Sequence, residues 1–279
     1  MSQSNIEHVN LADDISTSME EIAITTANPN PTSNEPSALD DDRLPSYNVP
    51  EKIIIVLDRG YDENCTNFEL TSKKTYSPLF MLQHALKIFL HNKSQINPEH
   101  QFAIIQLDEY SATWVHDFTN SIQDILASVR SITDIPCETE DIFDLNKVFD
   151  ILIDKLDLSF SLKNPPSCVV HIVLLYGRSY SVPKLTKTAE VERLLNSSYC
   201  TVDVVMTHEP PDSSNNCEQI FKCLQSIDMK GSSYAFSVSR NASDLHCAMA
   251  KILSHPLQRP HNANASANTN YNLNVIETN

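Results

Sequence analysis

Two stretches of this chain are apolar at nearly every position. Residues 53–57 read Ile-Ile-Ile-Val-Leu, and residues 169–176 read Val-Val-His-Ile-Val-Leu-Leu-Tyr. A strand with one wet face alternates polar and apolar residues. A strand that does not alternate is covered on both faces, as in a parallel sheet with helices on each side. The remaining body keeps that rhythm. Ser77 and Pro78 make a helix start, with a capping side chain and then proline at the first helical position. Leu79, Leu82, Leu86, Phe89 and Leu90 follow at helical spacing until Asn97 and Pro98. Residues 102–107 form a second strand, and 112–118 its antiparallel edge neighbour. Ser121 and Asp124 have capping-box spacing and open a helix carrying Ile125, Leu126 and Val129. Another helix is expected from about 142 to 158. Strands at 201–206 and 234–238 alternate with helices near 190–195 and 218–227. The last helix shows Leu245, Ala248, Met249, Ile252 and Leu253 on one face. Strands alternating with helices predict an α/β fold, doubly wound, with a mostly parallel sheet and one antiparallel edge strand.

The ends of the chain read differently. Up to position 45 there are nine acids against Arg43 alone, and few large apolar residues. Such a segment cannot offset its ordering entropy, so residues 1–48 are expected to be a disordered acidic tail. Residues 49–255 are the folded domain, and 256–279 an extended C-terminal tail. The N-terminus lacks the basic and apolar regions of a signal peptide. Seven scattered cysteines without a C-x-x-C pair point to a reducing compartment.

Composition excludes several functions. The chain holds only three glycines, Gly60, Gly177 and Gly231. Loops that cradle phosphates, and the usual nucleophile elbow, need glycines close together. With 36 acids against 20 basic residues the net charge is −16, which disfavours direct contact with nucleic acid. His171 sits inside an apolar strand, where a satisfied core histidine is the simpler reading than a catalytic base. His246 and Cys247 are adjacent on a helix and point about 100° apart, so they form no dyad.

Open α/β sheets bind ligands at the carboxyl ends of their strands. Here those ends carry Asp58-Arg59-Gly60-Tyr61-Asp62 and Tyr176-Gly177-Arg178. A first strand ending in Asp, a long helix and a hairpin-like edge pair together resemble the von Willebrand factor A fold. That fold often holds a divalent metal in a D-x-S-x-S loop, whose acid and two hydroxyls are hard oxygen ligands. This chain keeps Asp58, but has Gly60 and Asp62 in the serine places, so the site Asp58, Gly60, Asp62 is expected to be degenerate and metal-free. Arg59 adds positive charge beside the cavity. Thr139 is the candidate match to the family's threonine.

Three further stretches carry a sharper resemblance. They are residues 51–58 (Glu-Lys-Ile-Ile-Ile-Val-Leu-Asp), 226–234 (Ser-Ile-Asp-Met-Lys-Gly-Ser-Ser-Tyr) and 246–260 (His-Cys-Ala-Met-Ala-Lys-Ile-Leu-Ser-His-Pro-Leu-Gln-Arg-Pro). With them the chain resembles the von Willebrand A-like adaptor subunit of the BRISC and breast-cancer-susceptibility A deubiquitinase complexes. The resemblance implies a non-catalytic scaffold with no cofactor. It implies binding to the UEV-repeat subunit and, through it, to the metalloprotease subunit and its pseudo-enzyme scaffold. That assembly cleaves lysine-sixty-three-linked ubiquitin chains in the DNA damage response and in cytoplasmic signalling, which places the chain in cytoplasm and nucleus, without direct contact to nucleic acid or membrane. A P-x-x-R element is associated with the UEV contact, so Pro256, Leu257, Gln258, Arg259 and Pro260 are the expected docking peptide. Leu257 would fill a pocket, and Arg259 would pair with a partner carboxylate; the alternative, which could hold alongside docking, is a C-cap region that packs back on its own domain. The competing reading is a metal-dependent von Willebrand A ligand-binding module.

Overall fold

Strand β1 (Glu51–Asp58) lies inside a six-stranded sheet. The other strands are β2 (Gln101–Leu107), β3 (Ala112–Thr119), β4 (Val169–Tyr176), β5 (Cys200–Thr207) and β6 (Ala235–Val238). The order across the sheet is β6-β5-β4-β1-β2-β3, and every neighbour is parallel except the β2–β3 edge pair. The structure is a computed structural model that describes residues 48–63, 65–70, 72–137, 142–156 and 166–259. The expectations for the tails at 1–47 and 260–279, and for Thr139, fall outside those residues.

Helices cover both faces, which is why β1 and β4 need no polar alternation. Ile53, Ile55 and Leu57 of β1 face α1 (Pro78–Ile96), α2 (Ile122–Ser131) and α6 (Ala242–Ile252). Ile54 and Val56 face α3 (Asn146–Lys155), α4 (Ala189–Asn196) and α5 (Cys217–Gln225). Each of these fully buried aliphatic side chains contributes roughly 1.5–3 kcal/mol through burial. The helix starts follow the sequence signals: Ser77 Oγ accepts from Phe80 N, Ser121 Oγ from Asp124 N, and Thr188 Oγ1 from Val191 N. The chain leaves β1 toward β2 and later returns on the other side to form β4. The carboxyl ends of β1 and β4 therefore flank the topological switch point, where sheets of this kind open a crevice.

Two local expectations are corrected. The helix expected from about 142 begins at Asn146, and Ile142–Asp144 is a short strand parallel to Val182–Lys184. Ile142 is 56% exposed and Phe143 only 2%, the in-out alternation of a strand. Asp144 Oδ1 then accepts from Asn146 N and turns the chain into α3. The second correction concerns the tail. Pro256–Gln258 is a 3₁₀ turn, not an extended segment. His255 makes it: its Nδ1 accepts from Leu257 N and its carbonyl from Gln258 N. Pro256 at the first position has the fixed φ such a turn requires.

Candidate functional site

Asp58, at the end of β1, is buried, and among the described residues its hydrogen-bond donors come from two strand ends. Gly60 N donates to Oδ1 (3.1 Å) and Gly177 N to Oδ2 (3.2 Å). Arg178 Nε lies 3.0 Å from Oδ2, and Arg178 Nη2 lies 3.1 Å from Oδ1. Sequence reading placed Arg178 at this strand end but not against Asp58. Its side chain is 2% exposed, and its guanidinium packs 4.4 Å from the Phe143 ring centroid. The remaining N–H groups reach the β2–β3 turn, with Nη1 donating to Glu109 O (2.8 Å) and Nη2 to Asp108 O. Burial opposes the guanidinium charge, but Asp58 outweighs it and pushes the Arg178 pKa above its usual value. Arg59 lines the cleft beside Asp58, with its Nε 2.6 Å from Asp108 Oδ1.

Asp62 is brought to the same place. A short strand, Gly60–Asp62, pairs in parallel with Ile135–Cys137. Asp62 Oδ2 accepts from Ser179 N at 2.8 Å. Burial, reinforced by the charge of Asp58, pushes its carboxyl pKa up. Beside these residues lies a cleft of about 220 Å³, walled by Tyr61, Leu79, Leu82 and Gly177. A divalent ion would need several oxygens at about 2.0–2.6 Å. Gly60 offers no side-chain oxygen, and the oxygens of Asp58 face a permanent cation. The residues present do not fit a metal.

The expected docking residues lie elsewhere, toward the amino ends of the strands. Arg259 folds back onto β5, with Nη1 2.7 Å from Asp203 Oδ1 and Nη2 2.6 Å from Asp203 Oδ2. Its guanidinium stacks 4.2 Å from the Tyr234 ring centroid. The anticipated pairing with a partner's carboxylate is thereby corrected, because the carboxylate is internal. Leu257 is half-buried against the core, Gln258 is exposed, and Pro260 falls outside the described residues. The internal pair belongs to a chain of buried charges. His171 lies with Nε2 2.7 Å from Asp203 Oδ2 and Nδ1 2.8 Å from Glu51 Oε2. Lys93 Nζ donates to Glu51 Oε1 at 2.6 Å, and Glu51 N donates to His100 Nδ1 at 2.8 Å. Burial raises the Glu51 pKa, but His171 and Lys93 hold it down to about 2. The sequence signal was present: Glu51, His171 and Asp203 interrupt apolar strands, and buried charges must pair.

Little in these surroundings suits catalysis. Both ring nitrogens of His171 are committed to carboxylates. Burial pushes the thiols of Cys65, Cys137 and Cys217 up to about 11, so they stay protonated near neutral pH. Ser237 Oγ does lie 2.7 Å from His208 Nε2. The other nitrogen of His208 faces the Glu209 backbone carbonyl, however, while the Glu209 carboxylate is engaged by Arg240 and Thr66. Among the described residues, no carboxylate therefore orients that imidazole.

The sheet order, the antiparallel edge pair and the acid at the end of β1 define a von Willebrand A-like domain. Its fold is shared by the solved vWF domain of the type V pili tip protein Mfa5 from Porphyromonas gingivalis, with a TM-score of 0.50, 10% identity, and 74% of this chain and 94% of that one covered. No family model matches the sequence. Over 80% of its length the chain is 30% identical to "BRISC and BRCA1-A complex member 1" of Xenopus laevis, covering 69% of that protein. It is also 30% identical to the Danio rerio protein of that name, over 85% of this chain and 65% of the relative. The chain belongs to the BRISC and BRCA1-A complex member 1 family.

Proposed function

We propose that this chain is a non-catalytic scaffold subunit of a deubiquitinase assembly acting on lysine-sixty-three-linked ubiquitin chains. In this proposal it binds the UEV-repeat subunit, and through it the metalloprotease subunit and its pseudo-enzyme partner. It serves DNA damage signalling in the nucleus and ubiquitin signalling in the cytoplasm. The observation that carries the reading is the 30% identity to a named complex member over 80% of the chain. The engaged imidazoles and protonated thiols described above support it, as does the strand-end site that does not fit a metal. The docking peptide is Pro256, Leu257, Gln258 and Pro260, with Arg259 as the residue that positions it from inside.

The test is reconstitution. The purified full chain is mixed with the UEV-repeat subunit of its own organism and run on size exclusion. A stoichiometric complex is expected, and the isolated chain should release no ubiquitin from a lysine-sixty-three-linked dimer. Adding the chain to the remaining subunits should raise the yield of assembled, active enzyme. Separate elution of the two proteins, or cleavage by the chain alone, would overturn the reading.

A further inference from the structure

We propose that Arg178 is a built-in cation standing where folds of this class hold a divalent ion, and that Asp58 and Asp62 form a metal site kept latent by it. The inference does not depend on which partners the chain binds.

The first support is charge. Asp58 is 2% exposed, and a carboxylate so buried requires a counter-charge. In a metal-dependent site that charge arrives from solution and can leave. Here it is covalently attached, through Arg178 Nε and Nη2, to the strand next door. The second is what the cation binds. A guanidinium and a hard metal ion both seek oxygen, and Arg178 gathers two carboxylate oxygens together with the carbonyls of Asp108 and Glu109. It thereby ties the end of β1, the β2–β3 turn and the loop after β4, loops that an ion would otherwise join.

The third support is space. A Cβ at Gly60 would lie 2.4 Å from Cys137 Sγ, 3.3 Å from Asp58 Oδ1 and 3.4 Å from Arg178 Nε. A serine ligand at position 60 and the observed packing therefore exclude each other. Gly177 N donates to Asp58 Oδ2, and a Cβ at Gly177 would make only ordinary contact, 3.7 Å from the Gly60 carbonyl. Two of the chain's three glycines thus flank the Asp58–Arg178 pair. Asp62 completes the argument. It is a second buried carboxylate whose described donor is the backbone N–H of Ser179. Removing the guanidinium would leave the Asp58 carboxylate and the carbonyls of Asp108 and Glu109 without their shared cation, with the Asp62 carboxylate four residues along the chain.

Melting curves and calorimetry on the full chain test this, with manganese or magnesium chloride against EDTA at matched ionic strength. The wild type should show no cation-dependent change in melting temperature. Arg178→Ser should melt lower in EDTA and be restored by either ion. It should bind one manganese per chain, about 100-fold or more tighter than wild type, so that millimolar metal shifts its stability visibly. Adding Asp58→Asn to that variant should abolish the response, and Asp58→Asn with Arg178→Met should fold without any cation. A wild-type melting temperature raised by manganese and lost in Asp58→Asn would overturn the built-in cation. Arg178→Ser that gains no manganese binding, or stays unfolded with manganese present, would overturn the latent site.

Discussion

The Arg259 guanidinium lies fork to fork against the Asp203 carboxylate, Nη1 to Oδ1 at 2.7 Å and Nη2 to Oδ2 at 2.6 Å. Both side chains are buried, so the pair fixes where the chain goes after α6. Truncating one partner leaves the other charge buried and alone, which typically costs about 3–5 kcal/mol. Arg259→Ala should lower unfolding stability by that amount in urea titration. Asp203→Ala combined with it should cost clearly less than the two single changes added together. Strict additivity would mean that the two side chains do not depend on each other.

How much of this was legible in the sequence follows from which interactions have a period. The sheet and helices were readable because Ile53–Leu57 and the leucines of α1 repeat with the spacing of their element. The Asp58 strand end was readable because Asp58 terminates an apolar run. The helix misplaced at Ile142 has the opposite cause: three residues of alternation are too few to register against a following helical pattern. The two ion pairs were illegible for a different reason. Arg178 lies 120 residues from Asp58, and Arg259 lies 56 from Asp203. Sequence reveals that a buried charge needs a partner, but only topology selects which one.

His100 should make the fold acid-sensitive. Its Nδ1 accepts from Glu51 N, a role that requires an unprotonated nitrogen. Burial, only partly offset by the charge of Glu51, pushes its pKa down to about 4. The unfolded imidazole titrates near 6.5. As pH falls below that value, the unfolded chain takes up a proton that the fold refuses, so stability declines until about pH 4. The limit is about 3 kcal/mol. Glu51, held down to about 2 in the fold, adds its own loss only at the acid end of this window, as the unfolded carboxyl titrates near 4.5. His100→Gln keeps an acceptor and removes the proton site. Its denaturant midpoint should fall less between pH 6.5 and 4.5 than that of the wild type. Equal slopes would remove His100 from the account.

Gly60 should tolerate no side chain while Cys137 is present. The methyl group of an alanine at this position would sit 2.4 Å from Cys137 Sγ, inside contact distance, and the short strand carrying Cys137 would have to move. Overpacking of this kind costs about 1–3 kcal/mol. Gly60→Ala should therefore be destabilised by that amount. Cys137→Ala should recover most of it, since the remaining neighbours lie at 3.3 and 3.4 Å. A Gly60→Ala chain as stable as wild type would show that the backbone yields easily here. Asp58 and Arg178 would then not be held by close packing.

Fold and docking should separate within one short peptide. Arg259 acts inward, and its loss should reduce both stability and partner binding. Gln258 is exposed, and Leu257 is only half-buried against the core. A Leu257→Ala, Gln258→Ala chain loses part of one apolar contact, worth about 1 kcal/mol of stability. If the proposed contact with the UEV-repeat subunit is made by this turn, the same two changes remove an apolar anchor and its polar neighbour from the interface. Affinity should then fall by about 2–4 kcal/mol, the range of interface hot spots. Calorimetric titration against the UEV-repeat subunit, beside a urea titration of the chain alone, measures the two effects independently. A binding loss no larger than the stability loss would move the interface away from this turn. A large binding loss in Arg259→Ala but none in the double variant would show that Arg259 matters only by keeping the domain folded.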